Sequence, residues 1–292
     1  MSLHNDPNWL RAGNWFSTSG TDADIAILGV GASKSAITPN KAYETPAAIR
    51  DSLFKYSTYK ASLDIELSNL KAIDFGDISN ADDQTIATQE ISNHLTKSKV
   101  LILLGGDNSI TFSGVSALAH NRFGEVGLIT LDAHHDVRDG ISNGSPIRQL
   151  VEAGLPGKNI VQIGISDFAN SKIYADRVRS FGISVINRRQ FDQKSITDIA
   201  LEALECLKEC KVVYLDIDID VCDRSVVPAA PAAVPGGLSA DQLRELVFEL
   251  SKSDKLNHFD ITEIDSSIDS ADQRTSRLAA LCILEIASAK SL

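Results

Sequence analysis

Gly127-Leu128-Ile129-Thr130-Leu131-Asp132-Ala133-His134-His135-Asp136 is an apolar run that turns abruptly into acids and histidines. Its first half reads as a buried strand. Three potential metal ligands, Asp132, His134 and Asp136, then stand at alternate positions. On extended backbone, residues at i, i+2 and i+4 point the same way. A strand fraying into a loop there aims two carboxylates and one imidazole at a single point, a set suited to Mn2+ or another divalent cation of intermediate hardness. A second apolar run, 211–215, ends in Asp216-Ile217-Asp218-Ile219-Asp220. Acids are a costly choice inside a buried strand, so two strands ending in carboxylates at spacing two point to a cation between them.

The same alternation of apolar run and helical period continues on both sides. Strands are expected at 24–30, 70–75, 100–104, 127–132, 160–164, 183–186, 212–215 and 258–264. Helices are expected at 46–56, 84–96, 110–120, 146–153, 172–181, 196–210, 240–250 and 274–289, with Thr45 as N-cap of the first and Pro46 in its first turn. Continuous apolar strands between helices indicate an α/β fold, a mostly parallel sheet between two helical layers. In open sheets of this kind ligands bind beyond the carboxyl ends of the strands. Residues 1–22 read as irregular, with Trp9 and Trp15 as packing anchors. Residues 31–44 read as a long loop whose Ser33, Lys34, Ser35 and Asn40 are solvated. No repeat, linker or low-complexity block divides the 292 residues, so one domain over 1–292 is expected.

Composition excludes several classes. A formal charge of -11 argues against a nucleic-acid or anionic-membrane partner. No apolar run approaches the roughly 20 residues of a membrane helix, and 1–6 carry no signal-peptide pattern. Four cysteines, with Cys206 and Cys210 one helical turn apart, read as buried reduced thiols, which places the protein in the cytoplasm.

Four motifs stand in order: Gly-Gly-Asp-Asn-Ser (105–109), Asp-Ala-His-His-Asp (132–136), Asp-Ile-Asp-Ile-Asp-Val-Cys-Asp (216–223) and Asp-Ile-Thr-Glu (260–263). Together they resemble the ureohydrolase family of arginases, agmatinases and formimidoylglutamases, from about residue 25 to the C-terminus. The resemblance implies an arginase-like fold, a trimer or hexamer of identical subunits, and two Mn2+ ions per subunit. It implies that Asp132 and Asp218 bridge the ions, that Asp136 and Asn108 complete one side, and that His134 and Asp220 hold the other. It further implies that a hydroxide shared by the ions and oriented by Asp136 attacks an amidine or guanidine carbon, while Glu263 pairs with the cationic nitrogens of the substrate. Most of the family has histidine where this chain has Asn108. A neutral amide is a weaker donor, so the nearby ion is expected to bind less tightly; the alternative is that Asn108 only caps the following helix. His135, facing the other way, and Asp223 and Asp139, resembling loop-supporting positions, are expected to back the site. Arg274 is expected to serve a salt bridge.

The loop Asn143-Gly144-Ser145-Pro146-Ile147-Arg148 bears on the substrate. Arginase-like relatives place a histidine here, and this chain has none between His135 and His258. The wording is most similar to formimidoylglutamases, which implies hydrolysis of the small amidine N-formimidoyl-L-glutamate to L-glutamate and formamide in histidine breakdown. That substrate carries two carboxylates. Arg148 or Arg138 could grip one bidentately, with Asn143 and Ser145 donating beside it. The alternatives are another ureohydrolase, such as an agmatinase or guanidinobutyrase, or a catalytically silent homologue.

Overall fold

The computed structural model describes residues 6 and 8–292. Eight strands form one parallel sheet. They are β1 (Ala23–Val30), β2 (Ala72–Asp77), β3 (Ser98–Gly105), β4 (Val126–Leu131), β5 (Ile160–Ile165), β6 (Ser184–Asn187), β7 (Val212–Asp218) and β8 (Leu256–Thr262). Their order across the sheet is β2-β1-β3-β8-β7-β4-β5-β6. The inner strands are apolar on both faces because helices cover both. α1 (Thr45–Leu53), α6 (Ile196–Cys206), α7 (Ala240–Ser251) and α8 (Arg274–Lys290) pack on one side. α2 (Gln84–Ser92), α3 (Ser109–Ala119), α4 (Pro146–Ala153) and α5 (Lys172–Phe181) pack on the other. Ile102, Ile129, Leu215 and Phe259 are fully enclosed, and burying each such side chain stabilises the fold by about 1.5–3 kcal/mol. The expected three-layer α/β/α architecture is the one observed.

The order reverses at the centre of the sheet. The chain leaves β4 toward β5 and leaves β7 toward β8, although β4 and β7 are neighbours paired Thr130↔Asp216 and Leu131↔Ile217. A crevice opens at such a point. β3, β8, β7 and β4 are consecutive there, and each ends in one of the four motifs.

Several expectations need correction. β7 does not stop at Leu215 but runs through Asp216 to Asp218, because ladder bonds to β4 and β8 outweigh the cost of the acids. α6 ends at Cys206, which is exposed; only Cys210, Cys222 and Cys282 are buried thiols. Trp15 is an anchor, its Nε1 donating to the Leu70 carbonyl at 2.9 Å, but Trp9 is half exposed beside Arg11. Thr45 is the first helical residue rather than the cap, and its hydroxyl donates to the Ile264 carbonyl. Ser35 is not solvated: it donates to the buried Asp107 carboxylate at 3.0 Å. A four-residue helical turn (Ala12–Trp15) and a short hairpin (Tyr59–Lys60 with Ile65–Glu66) were not expected. No helix among the described residues is long and apolar enough to cross a membrane.

Candidate metal centre

Asp132 leaves β4 with its amide donating to the Ile163 carbonyl at 3.0 Å. The chain then bends rather than staying extended. The His134 amide turns back to donate to Asp132 Oδ1 at 2.6 Å, and Asp136 takes a left-handed φ of 49°. Convergence of the three side chains is therefore made by the loop and not by strand alternation. From β7 and the single 3-10 turn Ile219–Val221 come Asp218 and Asp220, the Asp220 amide donating to Asp218 Oδ1 at 2.9 Å. His134 Nδ1 lies 3.0 Å from Asp220 Oδ2 and 3.4 Å from Asp132 Oδ1.

Two sets of ligand atoms result. Asp132, His134 and Asp220 form one, and Asp132, Asp136 and Asp218 the other; within each set the atoms lie within 4.8 Å of one another. Asp132 belongs to both. Its Oδ2 is buried and has no hydrogen-bond partner among the described residues. An orphaned carboxylate oxygen inside a ring of acids is what a divalent cation would satisfy, and an oxygen-rich set with one imidazole suits Mn2+.

The electrostatics agree with that fit. Burial, then the neighbouring carboxylates, push Asp132 and Asp218 well above the usual carboxylate range. Burial raises Asp136 to about 7 although His134 opposes it. Burial also works against charge on Asp220, but the His134 imidazolium outweighs it and holds Asp220 low. His134 itself, despite burial, rises to about 12 between Asp220 and Asp132. In the absence of metal a protonated His134 supplies the positive charge the acids require, and a metal ion would displace that proton.

Glu263 follows β8 with a left-handed φ of 61°, its amide donating to the Gly106 carbonyl at 2.9 Å. Non-glycine residues in that region cost on the order of 1 kcal/mol or more each, so Asp136 and Glu263 are both held by their surroundings. Gly106 itself must be glycine, since a Cβ there would lie 1.9 Å from the Ala32 carbonyl oxygen. Glu263 Oε1 accepts from the Asn108 amide and from Asn143 Nδ2, both at 2.8 Å, while burial pushes its pKa to about 8.

Asn108 occupies the N-cap position of α3, but its side chain makes no capping bond; Asp107 accepts from the Ser109 amide instead. Asn108 Nδ2 donates to Asp136 Oδ2 at 2.7 Å, and its Oδ1 accepts from Thr111 Oγ1 at 2.7 Å. Beneath it lies a layer that sequence reasoning missed. Asp260 Oδ2 accepts from Thr111 at 2.9 Å and from Tyr214 at 3.0 Å, beside Asp216. The signals for this layer were two acids inside apolar sequence, Asp216 two residues before Asp218 and Asp260 three before Glu263.

His135 faces away, Nδ1 at 2.7 Å from Gln162 Oε1, while Asn170 accepts from its amide and donates to the Ala133 carbonyl, both at 2.9 Å. Gln162 and Asn170 thus clamp the loop 132–136, a role that nothing in their spacing marked. Asp223 closes the loop 224–237, accepting from the Ser225 and Gly236 amides, and Asp139 pairs with Arg177 at 2.9 Å. Arg274 pairs with Asp272 at 3.2 Å.

A cleft of about 190 Å³ opens over these groups, lined by His134, Asp136, Asp218, Asp220, Asn143 and Glu263 among others. Ser145 is not in its lining: its hydroxyl donates to the Ser142 carbonyl at 2.9 Å and closes a turn. Neither is Arg148, whose guanidinium donates to the carbonyls of Arg138 and Gly140 and pairs with Glu152.

The profile of the Arginase family matches residues 23–288. The chain is 36% identical to the formimidoylglutamase of Halalkalibacterium halodurans over 92% of its length and 88% of that protein. It superposes on the crystal structure of Bacillus subtilis formimidoylglutamase with a TM-score of 0.92 at 30% identity, covering 99% of this chain and 94% of that one. A structure of Trypanosoma cruzi formiminoglutamase with Mn2+ aligns with a TM-score of 0.87 at 25% identity, over 96% and 98% of the two chains. With a family match across most of its length, and with its four strand-end motifs gathered around one cleft, the chain belongs to the Arginase family and is an enzyme that hydrolyses linear amidines.

Proposed function

We propose that the protein hydrolyses N-formimidoyl-L-glutamate with water to L-glutamate and formamide, and that it requires Mn2+. The observation that carries this reading is the pair of acid-rich ligand sets that share Asp132 and whose other members line one cleft, in a chain whose similarity to formimidoylglutamases spans nearly its whole length. Asp132, Asp136 and Asp218, with Asn108, would hold one ion, and Asp132, His134 and Asp220 the other. When bound, such cations supply Lewis acidity that lowers the pKa of water. Asp136 orients the attacking water, and Asn108 steadies that carboxylate through Nδ2. Glu263 receives the substrate amidinium. A cation beside it favours the ionised carboxylate and brings its raised pKa back down. Asn143 holds Glu263 in place for that contact. The same reading takes 1–292 as one catalytic domain that assembles as a trimer or hexamer in the cytoplasm, with His135 and Asp223 supporting the loops.

Manganese-reconstituted enzyme is expected to release formamide from N-formimidoyl-L-glutamate and little urea from agmatine, 4-guanidinobutyrate or arginine. Urea release without formamide would overturn the substrate assignment. Calorimetric titration of the metal-free protein with Mn2+ is expected to show a tighter and a weaker event, because the Asn108 oxygen is already engaged by Thr111. Two equally tight sites would contradict the weakened role given to Asn108.

A further inference from the structure

The cleft contains one basic side chain that the proposed chemistry leaves without a role. Asp136, Asp218, Asp220 and Glu263 line it, and Arg138 is the one arginine or lysine in the lining among the described residues. The Arg138 guanidinium joins none of the hydrogen bonds or ion pairs among those residues, although its main chain is fixed at both ends. Its amide donates to the Gly144 carbonyl at 2.9 Å, and its carbonyl accepts from Arg148 Nε at 2.6 Å. The stem runs across Gly144, where a Cβ would lie 2.8 Å from Arg138 Cδ. A cation with unused donors thus leaves a braced backbone along a path that a glycine keeps clear, at the exposed rim of an acidic cleft.

We propose that Arg138 is the specificity residue of this site: it binds a carboxylate that the substrate carries away from its amidine. Two divalent ions would balance the four acids that hold them and the amidinium would balance Glu263, so a carboxylate at the far end of the substrate needs a cation of its own. A guanidinium supplies it with direction, since its planar fork matches a carboxylate through two parallel hydrogen bonds. Asn170 and Ser171, at the start of α5, share the lining, and the positive end of that helix adds to the same preference. The substrate class follows from the two ends of the cleft: a linear amidine or guanidine with a carboxylate at its far end. Arg148, the other arginine the sequence offered for this contact, serves it indirectly by fixing the Arg138 and Gly140 carbonyls.

The inference rests on the proposed amidine hydrolysis, and its test separates the two. With Mn2+-loaded full-length enzyme, kcat/KM is measured for N-formimidoyl-L-glutamate and for N-butylformamidine, which has no carboxylate. Arg138→Gln is expected to lower the preference for the carboxylate-bearing substrate by about 10–100-fold, mainly through KM, the loss of one charge-assisted contact. Arg138→Lys, which keeps the charge but not the fork, is expected to fall between. Melting temperatures of the variants should match the parent, since the side chain is exposed. An unchanged preference in Arg138→Gln would overturn the assignment while leaving the activity standing. If the parent enzyme releases no formamide, the substrate reading fails instead. Arg138 is then judged on 4-guanidinobutyrate against agmatine, where the same loss of preference supports it and no loss overturns it.

Discussion

Asp132→Asn is expected to abolish turnover, by a factor on the order of 1,000 or more, as for a group on which the whole catalytic unit depends. Asp132 is common to both candidate ligand sets, so no other single carboxylate touches as much of the centre. The change is isosteric and removes only charge. It should also identify its own cause. In the metal-free protein Asp132 is buried among like charges, an unfavourable place for a carboxylate. An amide there relieves that repulsion, so chelated Asp132→Asn is expected to melt at or above the temperature of the chelated parent. Mn2+ stoichiometry by metal analysis should fall with activity. A variant that lost activity while keeping both ions, or that unfolded when chelated, would remove Asp132 from the role given to it.

Chelating the parent protein is expected to make its stability fall steeply as pH rises. Folded Glu263 and Asp136 hold their protons to about 8 and about 7, against ordinary values of 4.5 and 3.8. Between roughly pH 4 and 8 the folded chain therefore binds protons that the unfolded chain has released. The slope is on the order of 1.4 kcal/mol per pH unit for each such proton, with stability lost on the alkaline side. Divalent cations replace those protons, so the rise in melting temperature on adding Mn2+ should grow from pH 5 to pH 8. A Mn2+-induced shift that stayed constant over that interval would show that the carboxylates do not titrate in this way.

The fold was legible because its strands are unbroken apolar runs, and each of the expected strands and helices has a counterpart within a few residues of its expected bounds. The acids of the centre were legible for the opposite reason: Asp132, Asp218 and Asp220 interrupt apolar sequence where nothing but a shared function would tolerate them. What stayed hidden depends on contacts between distant segments. Ser35 reaches Asp107 across 72 positions, and the Thr45 hydroxyl prefers the Ile264 carbonyl to its own helix. The choice between Arg138 and Arg148 could not be made from spacing. Both lie in the right loop, and only the path of the chain decides which one faces the cleft and which braces the turn behind it. The alternation argument at 132–136 picked out side chains that do converge, but for an incomplete reason, since the backbone there bends and Asp136 is left-handed.

Asp132 and Asp218 stand where the sheet's own hydrogen bonding ends, whereas Arg138 hangs from a connection that bears little of the weight of the core. Such an arrangement lets the two parts evolve at different speeds. A descendant could exchange residues 138–142 and acquire a different appetite for amidines while inheriting unaltered the means of splitting them.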